Sequence, residues 1–136
     1  MRIAITGSSG LIGSALVRSL ETDGHTVVRV VRSGGGDGTV RWDIDAGEID
    51  SAGLEGLDGV VHLAGEGIAE KRWTDEQKRK IRESRTKGTA LLADALASLA
   101  AKPSVLVSGS AVGFYGDRGD EQLTEASAPG VQTRSR

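Results

Sequence analysis

The segment Thr6-Gly7-Ser8-Ser9-Gly10-Leu11-Ile12-Gly13 stands between a short apolar run, Arg2 to Thr6, and a stretch with helical periodicity. Glycines at relative positions one, four and seven, in a turn from a buried strand into a helix, suit one chemistry: cradling a pyrophosphate. Gly7 can make the tight turn, Gly10 lets backbone amides approach the phosphates, and Gly13 lets the helix pack closely on the strand. The helix N-terminus then turns its unpaired N–H groups and positive dipole end toward the anion. A plain glycine turn before a helix is the competing reading, and the strand-turn-helix placement weighs against it. The whole run of Gly7, Ser8, Ser9, Gly10, Leu11, Ile12 and Gly13 is expected to bind a dinucleotide.

A second group with chemical meaning closes the next strand, which ends Val30-Val31-Arg32-Ser33. At this place an NAD site offers a carboxylate to the ribose hydroxyl, and an NADP site offers a cation to the 2'-phosphate. Arg32, with Ser33 beside it, favours NADP; Asp37 in the following glycine loop leaves NAD open, and a merely solvated arginine is the bland alternative. Trp42-Asp43 ends a third strand, and a buried structural tryptophan is one reading of it. With two histidines and no cysteine, the chain lacks the means for a histidine- or thiolate-based metal site, and none is expected.

These groups need a scaffold, and the order of apolar patterns supplies one. Strands are expected at Arg2 to Thr6, His25 to Val31, Thr39 to Trp42, Gly59 to Ala64 and Ser104 to Ser108. A first helix follows Gly10, with Leu11, Ile12, Ala15, Leu16 and Leu20 on one side, and closes at Asp23-Gly24. A second opens at Thr74-Asp75-Glu76-Gln77, buries Ile81, Gly88, Leu92, Ala95 and Leu99, and ends at Pro103. Asp43 to Asp58 reads as polar turn with weak helical character, and the chain beyond Gly109 as loop. Alternating strands and helices at this spacing imply an α/β Rossmann-type doubly wound parallel sheet, three layers deep, with strand order 3-2-1-4-5.

Composition narrows the function classes. Seventeen basic against nineteen acidic residues leave a net charge of -2, which gives no footprint for nucleic acid or an anionic membrane. The basic residues from Lys71 to Lys87 share their helix with Asp75, Glu76 and Glu83, so a solvated face is expected. The absence of cysteine fits a reducing compartment, and no segment has the length of a membrane span or signal core, so the cytoplasm is expected.

Beyond the glycine turn, His62-Leu63-Ala64-Gly65, Gly88-Thr89 with Leu91-Leu92, and Ser108-Gly109-Ser110-Ala111 with Tyr115-Gly116 follow in order. Together they resemble the short-chain dehydrogenase/reductase superfamily, in its extended NAD-dependent epimerase/dehydratase branch. Trp42-Asp43, Glu66, Arg72-Trp73-Thr74, Ser84-Arg85 and Ser110 to Asp117 are similar to a small sugar-nucleotide-epimerase-like group, sometimes labelled cell-division inhibitor. The resemblance runs from Met1 to about Pro129. It implies that Leu63, Ala64 and Gly65 lie beside the nicotinamide ribose, that Asp43 lies near the adenine, and that Ser108 borders the cofactor.

For catalysis the resemblance implies hydride transfer, with a tyrosine phenolate as proton acceptor, a lysine four residues later and a substrate-orienting serine. Ser110 matches the serine, a satisfied turn residue being its alternative. Tyr115 is the only tyrosine and the second catalytic candidate; yet Gly119 stands four residues on and no lysine follows. The family's proton-transfer tyrosine lies downstream of the Tyr-Gly motif, so turnover by this chain is not expected. Residues 1–130 are expected to form an NAD(P)-binding domain incomplete at its C-terminus, and residues 131–136 a disordered or non-family tail. The complete form would act as an oxidoreductase or isomerase on a nucleotide-sugar or related alcohol or ketone; a non-catalytic dinucleotide-binding regulatory module is the alternative. Truncation would leave the fifth strand as an open edge, hence a homo-dimer.

Overall fold

The structure, a computed structural model, describes residues 1–68 and 71–130. Six strands form one sheet: β1 (Arg2–Thr6), β2 (Thr26–Val31), β3 (Thr39–Asp43), β4 (Glu48–Ile49), β5 (Gly59–His62) and β6 (Val105–Ser108). Helix α1 (Leu11–Thr22) joins β1 to β2, and α2 (Asp75–Ser98) joins β5 to β6. The order is β4-β3-β2-β1-β5-β6. Every pairing is parallel except the last short one, where Trp42 and Asp43 of β3 face Ile49 and Glu48 of β4. Counted without β4, this is the 3-2-1-4-5 order expected, with the winding direction reversing beside β1.

The central strands are apolar at successive positions because both faces are covered. Ala4, Val28, Val30, Val40, Trp42 and Val60 pack against Leu92, Ala95, Leu96 and Leu99 of α2 and its C-cap, with Leu54 and Leu57 between. Ile3 and Ile5 point the other way, onto Val17 of α1, with Leu16 and Leu20 at the margin. The sheet is thus the middle of three layers.

Four details depart from the expected pattern. The buried side of α1 is Gly13 and Val17, whereas Leu11 and Ile12 are 91% and 68% exposed. The helix meets the sheet through Gly13 and Val17 instead, and those two side chains are left to solvent. Helix α2 stops at Ser98, with Leu99 as its cap, short of Pro103. The polar segment after Asp43 contains the β4 ribbon, turned at Gly47 with φ +72°, and a 3-10 turn at Ala52–Leu54. A second 3-10 turn, Val112–Tyr115, interrupts the loop after β6. The expected tail, residues 131–136, lies outside the described residues.

Candidate dinucleotide-binding site

The glycine turn is dictated by contacts that a side chain would prevent. Gly7 has φ +68°, and a Cβ there would stand 2.9 Å from Ala64 N and Leu63 O. A Cβ on Gly13 would overlap the Gly7 carbonyl oxygen and reach within 2.9 Å of Ser8 Cα. Helix and turn therefore touch backbone to backbone. Gly10 N donates to Gly7 O at 3.0 Å, and Gly10, the N-cap of α1, brings no capping side chain. No acidic residue sits in the first turn. An uncapped helix N-terminus facing a close-packed glycine turn is the donor set a pyrophosphate requires, so these residues fit the group.

A cleft of about 500 Å³ opens over this turn at the carboxyl ends of the strands, on the α2 side of β1. Gly7, Ser8, Ser9 and Gly10 form its floor, Arg32 and Ser33 one end, and Leu63, Ala64, Gly65 and Glu66 the opposite wall. Trp42 and Ile44 contribute apolar surface. Nine residues expected from the sequence thus meet in one cleft. The crevice outside the strand ends at the reversal point is where doubly wound sheets take nucleotides. A larger depression of about 830 Å³ lies between β4 and α2, and its charged lining is four carboxylates, Asp43, Glu48, Asp50 and Asp94, and one cation, Arg41.

Other expected residues stand apart. Leu11 and Ile12 face solvent, and Gly13 is sealed between α1 and the turn. Asp43 accepts from the N–H groups of Asp45 and Ala46, both at 3.0 Å, closing the bend after β3. Ser108 is the register partner of His62 at the exposed end of β6. Ser110 is exposed, and Tyr115 stacks edge-on against Phe114 at 5.2 Å. None of these four polar residues lines the cleft.

Two supports were not read from the sequence. Buried Thr6 accepts from Leu63 N and Ala64 N, each at 3.1 Å, and sits 2.7 Å from His62 Nδ1. Both acceptor positions of the hydroxyl are taken, so its proton goes to Nδ1. Nε2, carrying the ring proton, then donates to Thr89 Oγ1 at 3.0 Å. Burial holds the imidazole below its ordinary value of 6.5, in keeping with this neutral tautomer. The second support is Glu66, whose carboxylate accepts from Gln77 at 3.2 Å and pairs with Lys71 at 3.3 Å. The Gln77 hydrogen bond first, then Lys71, with Arg32 a lesser influence, hold its carboxyl below the usual range.

The family model described as the NAD dependent epimerase/dehydratase family matches residues 3–135. This chain belongs to that family. The epimerase family protein Mb2239 of Mycobacterium bovis is 40% identical over 130 residues, which cover 95% of this chain and 42% of the relative. A solved nucleoside-diphosphate sugar epimerase from Corynebacterium glutamicum is 45% identical with a TM-score of 0.79, covering 96% of this chain and 27% of its own. Human epimerase family protein SDR39U1, solved with NADPH, is 32% identical with a TM-score of 0.83, covering 95% and 43%. The chain therefore spans less than half the length of these relatives. It carries the NAD(P)-binding portion of an epimerase/dehydratase-family fold. Among the described residues no helix is long and apolar enough to cross a membrane, and no cluster of three or more His, Cys, Asp or Glu is placed to hold a metal.

Proposed function

We propose that the cleft binds a nicotinamide dinucleotide, NADP in preference to NAD, as the cofactor domain of a cytoplasmic oxidoreductase or isomerase acting on a nucleotide-linked sugar or related alcohol. The observation that carries this reading is the convergence of the glycine turn, the uncapped end of α1 and Arg32 on one cleft. The backbone amides of Gly7 to Gly10 would hold the pyrophosphate, Arg32 and Ser33 the 2'-phosphate, and Leu63 to Gly65 the ribose next to the ring. Arg32 makes no hydrogen bond or ion pair with another described side chain, so its guanidinium is available for an anion. A bound nicotinamide supplies hydride transfer. Asp43, which lines the adjoining cleft with Arg32 and Trp42, would lie near the adenine and Ser108 would border the cofactor, while Ser110 and Tyr115 would act on the substrate. The human relative solved with NADPH supports the phosphate-bearing cofactor, while the family as a whole is described by NAD.

Calorimetric titration with NADPH and NADH tests this directly. The chain is expected to bind NADPH more tightly, and Arg32→Glu to weaken NADPH about a hundredfold while sparing NADH. A charge-assisted arginine–phosphate contact contributes about 1.5–3 kcal/mol, and the new carboxylate adds repulsion. Equal loss of both cofactors would remove Arg32 from the 2'-phosphate, and no binding of either would sink the proposal.

We further propose that β6 pairs with β6 of a second copy. Val105 and Val107 on the α1 face and Leu106 on the α2 face are 48%, 52% and 45% exposed. A strand edge offers the same N–H and C=O row to its own copy across a two-fold axis, which makes such pairing self-complementary. Light scattering is expected to show a concentration-dependent dimer that Val107→Lys disperses; a wild-type monomer throughout the micromolar range would rule it out.

A further inference from the structure

Helix α2 grips one residue of the cleft wall by both ends of its backbone. Glu66 N donates to Ser84 Oγ at 2.9 Å, and Ser84 passes its own proton to Ile81 O at 3.0 Å. Next to it, Arg85 Nη1 donates to Glu66 O at 3.2 Å and to Ile81 O at 3.0 Å. Two turns earlier on the same stripe, Gln77 Nε2 reaches the Glu66 carboxylate at 3.2 Å and Gly67 O at 3.4 Å. Gln77 is only 6% exposed, and its own N–H is held by the Thr74 cap.

The arginine needs more than a hydrogen bond to sit there. A Cβ on Gly65 would stand 3.3, 3.4 and 3.5 Å from Arg85 Cζ, Nη2 and Nη1. Three near-equal distances mean that the guanidinium plane lies face-on against the bare Cα of Gly65. Gly65 is thus confined on its α2 side by Arg85 and borders the cleft on the other. Ser84 itself lines that cleft and the adjoining one, of about 540 Å³, which shares Arg32, Trp42 and Glu66.

We infer that Ser84 and Arg85 are positioning residues for the dinucleotide: they fix the backbone of Gly65 and Glu66 so that the wall opposite Arg32 is already in its ligand-bound shape. This rests on the dinucleotide reading and deepens it. A wall held in advance saves the ordering cost that binding would otherwise meet, so the grip acts on affinity more than on global stability. Both side chains lie at or near the surface of α2, and neither belongs to the core.

The test compares wild type with Arg85→Leu, Arg85→Lys, Ser84→Ala and Gly65→Ala, using NADPH titration, thermal melting and amide hydrogen exchange. Arg85→Leu, Ser84→Ala and Gly65→Ala are expected to weaken NADPH about tenfold. They should also speed exchange at Glu66 N–H and its neighbours about tenfold, with melting within a few degrees of wild type. Arg85→Lys, which can still donate to Glu66 O but cannot lie flat on Gly65, is expected to recover part of the affinity. Wild-type affinity in both Arg85→Leu and Ser84→Ala would overturn the positioning role and leave the dinucleotide reading intact. Loss of affinity that tracks a large fall in melting temperature would also overturn it, because support of the fold alone would then suffice. Wild type without NADPH or NADH binding would overturn both.

Discussion

Gly13→Ala is expected to lower stability by about 2–3 kcal/mol and to abolish NADPH binding. The added methyl has nowhere to go, because the atoms it meets are the carbonyl of Gly7 and the Cα of Ser8, both backbone. Relief requires α1 to lift off β1 or the turn to unwind. Either movement displaces the N-terminal amides that would hold the phosphates in the proposed complex and uncovers Val17 against Ile3 and Ile5. For a domain of this size the melting temperature should fall on the order of 10 °C. Gly10→Ala is the informative control. Its Cβ meets only Gly7 O, at 3.3 Å, and Gly10 has an ordinary extended backbone with φ -72°. A shift of a few tenths of an ångström accommodates it, so stability should change by less than about 1 kcal/mol while affinity falls through crowding of the phosphate floor. A Gly13→Ala protein that melts like wild type would show that the helix does not press on the turn as described.

That clash also marks what is legible in a linear sequence. The meeting of the glycine turn, Arg32 and the Leu63-to-Gly65 wall at one cleft was legible because each stands directly after a strand of the parallel sheet, where the chain leaves the carboxyl edge. The parallel order was legible too: Val27, Val28, Val30, Val60 and Val61 are apolar without alternation, as strands buried on both faces must be. Thr74 announced α2 correctly as a cap, its Oγ1 accepting from Gln77 N at 3.2 Å. Periodicity failed at Leu11 and Ile12, since it reports which residues share a side of a helix and not whether anything lies beneath that side. The grip on Glu66 and the bridge through His62 were hidden for a different reason. Thr6, His62 and Thr89 are separated by 56 and 27 positions, and Glu66 by 18 and 19 from Ser84 and Arg85. Thr6 and His62 stand on strands, Glu66 in a loop and Thr89, Ser84 and Arg85 on α2, and only the fold brings each to its partner.

Thr6→Val is expected to be the other severe substitution, although it changes shape hardly at all. The lost hydroxyl leaves Ala64 N and His62 Nδ1 without their partner and Leu63 N with only its 3.3 Å bond to the Thr6 carbonyl, around a buried side chain. An orphaned buried polar group costs about 1–3 kcal/mol. Partial rescue by water or by adjustment of the loop makes the sum less than additive, so about 3 kcal/mol in chemical denaturation is expected. Thr6→Ser, which keeps the oxygen and drops only a methyl, should recover most of the loss. The same bridge sets a pH dependence in the wild type. His62 is neutral in the folded chain and its imidazole is depressed by burial, while the unfolded chain takes up a proton near the ordinary 6.5. Below that pH the unfolded state binds more protons, so stability is full above it and declines as pH falls toward the lower folded-state value. His62→Gln should remove this slope between neutral and mildly acidic pH, and an unchanged slope would assign it to carboxylates. An Nε2-protonated tautomer by nitrogen NMR is the direct check, because Thr6 can donate to Nδ1 only if that nitrogen carries no hydrogen; an Nδ1–H signal would undo the account of how β1 holds the cleft wall.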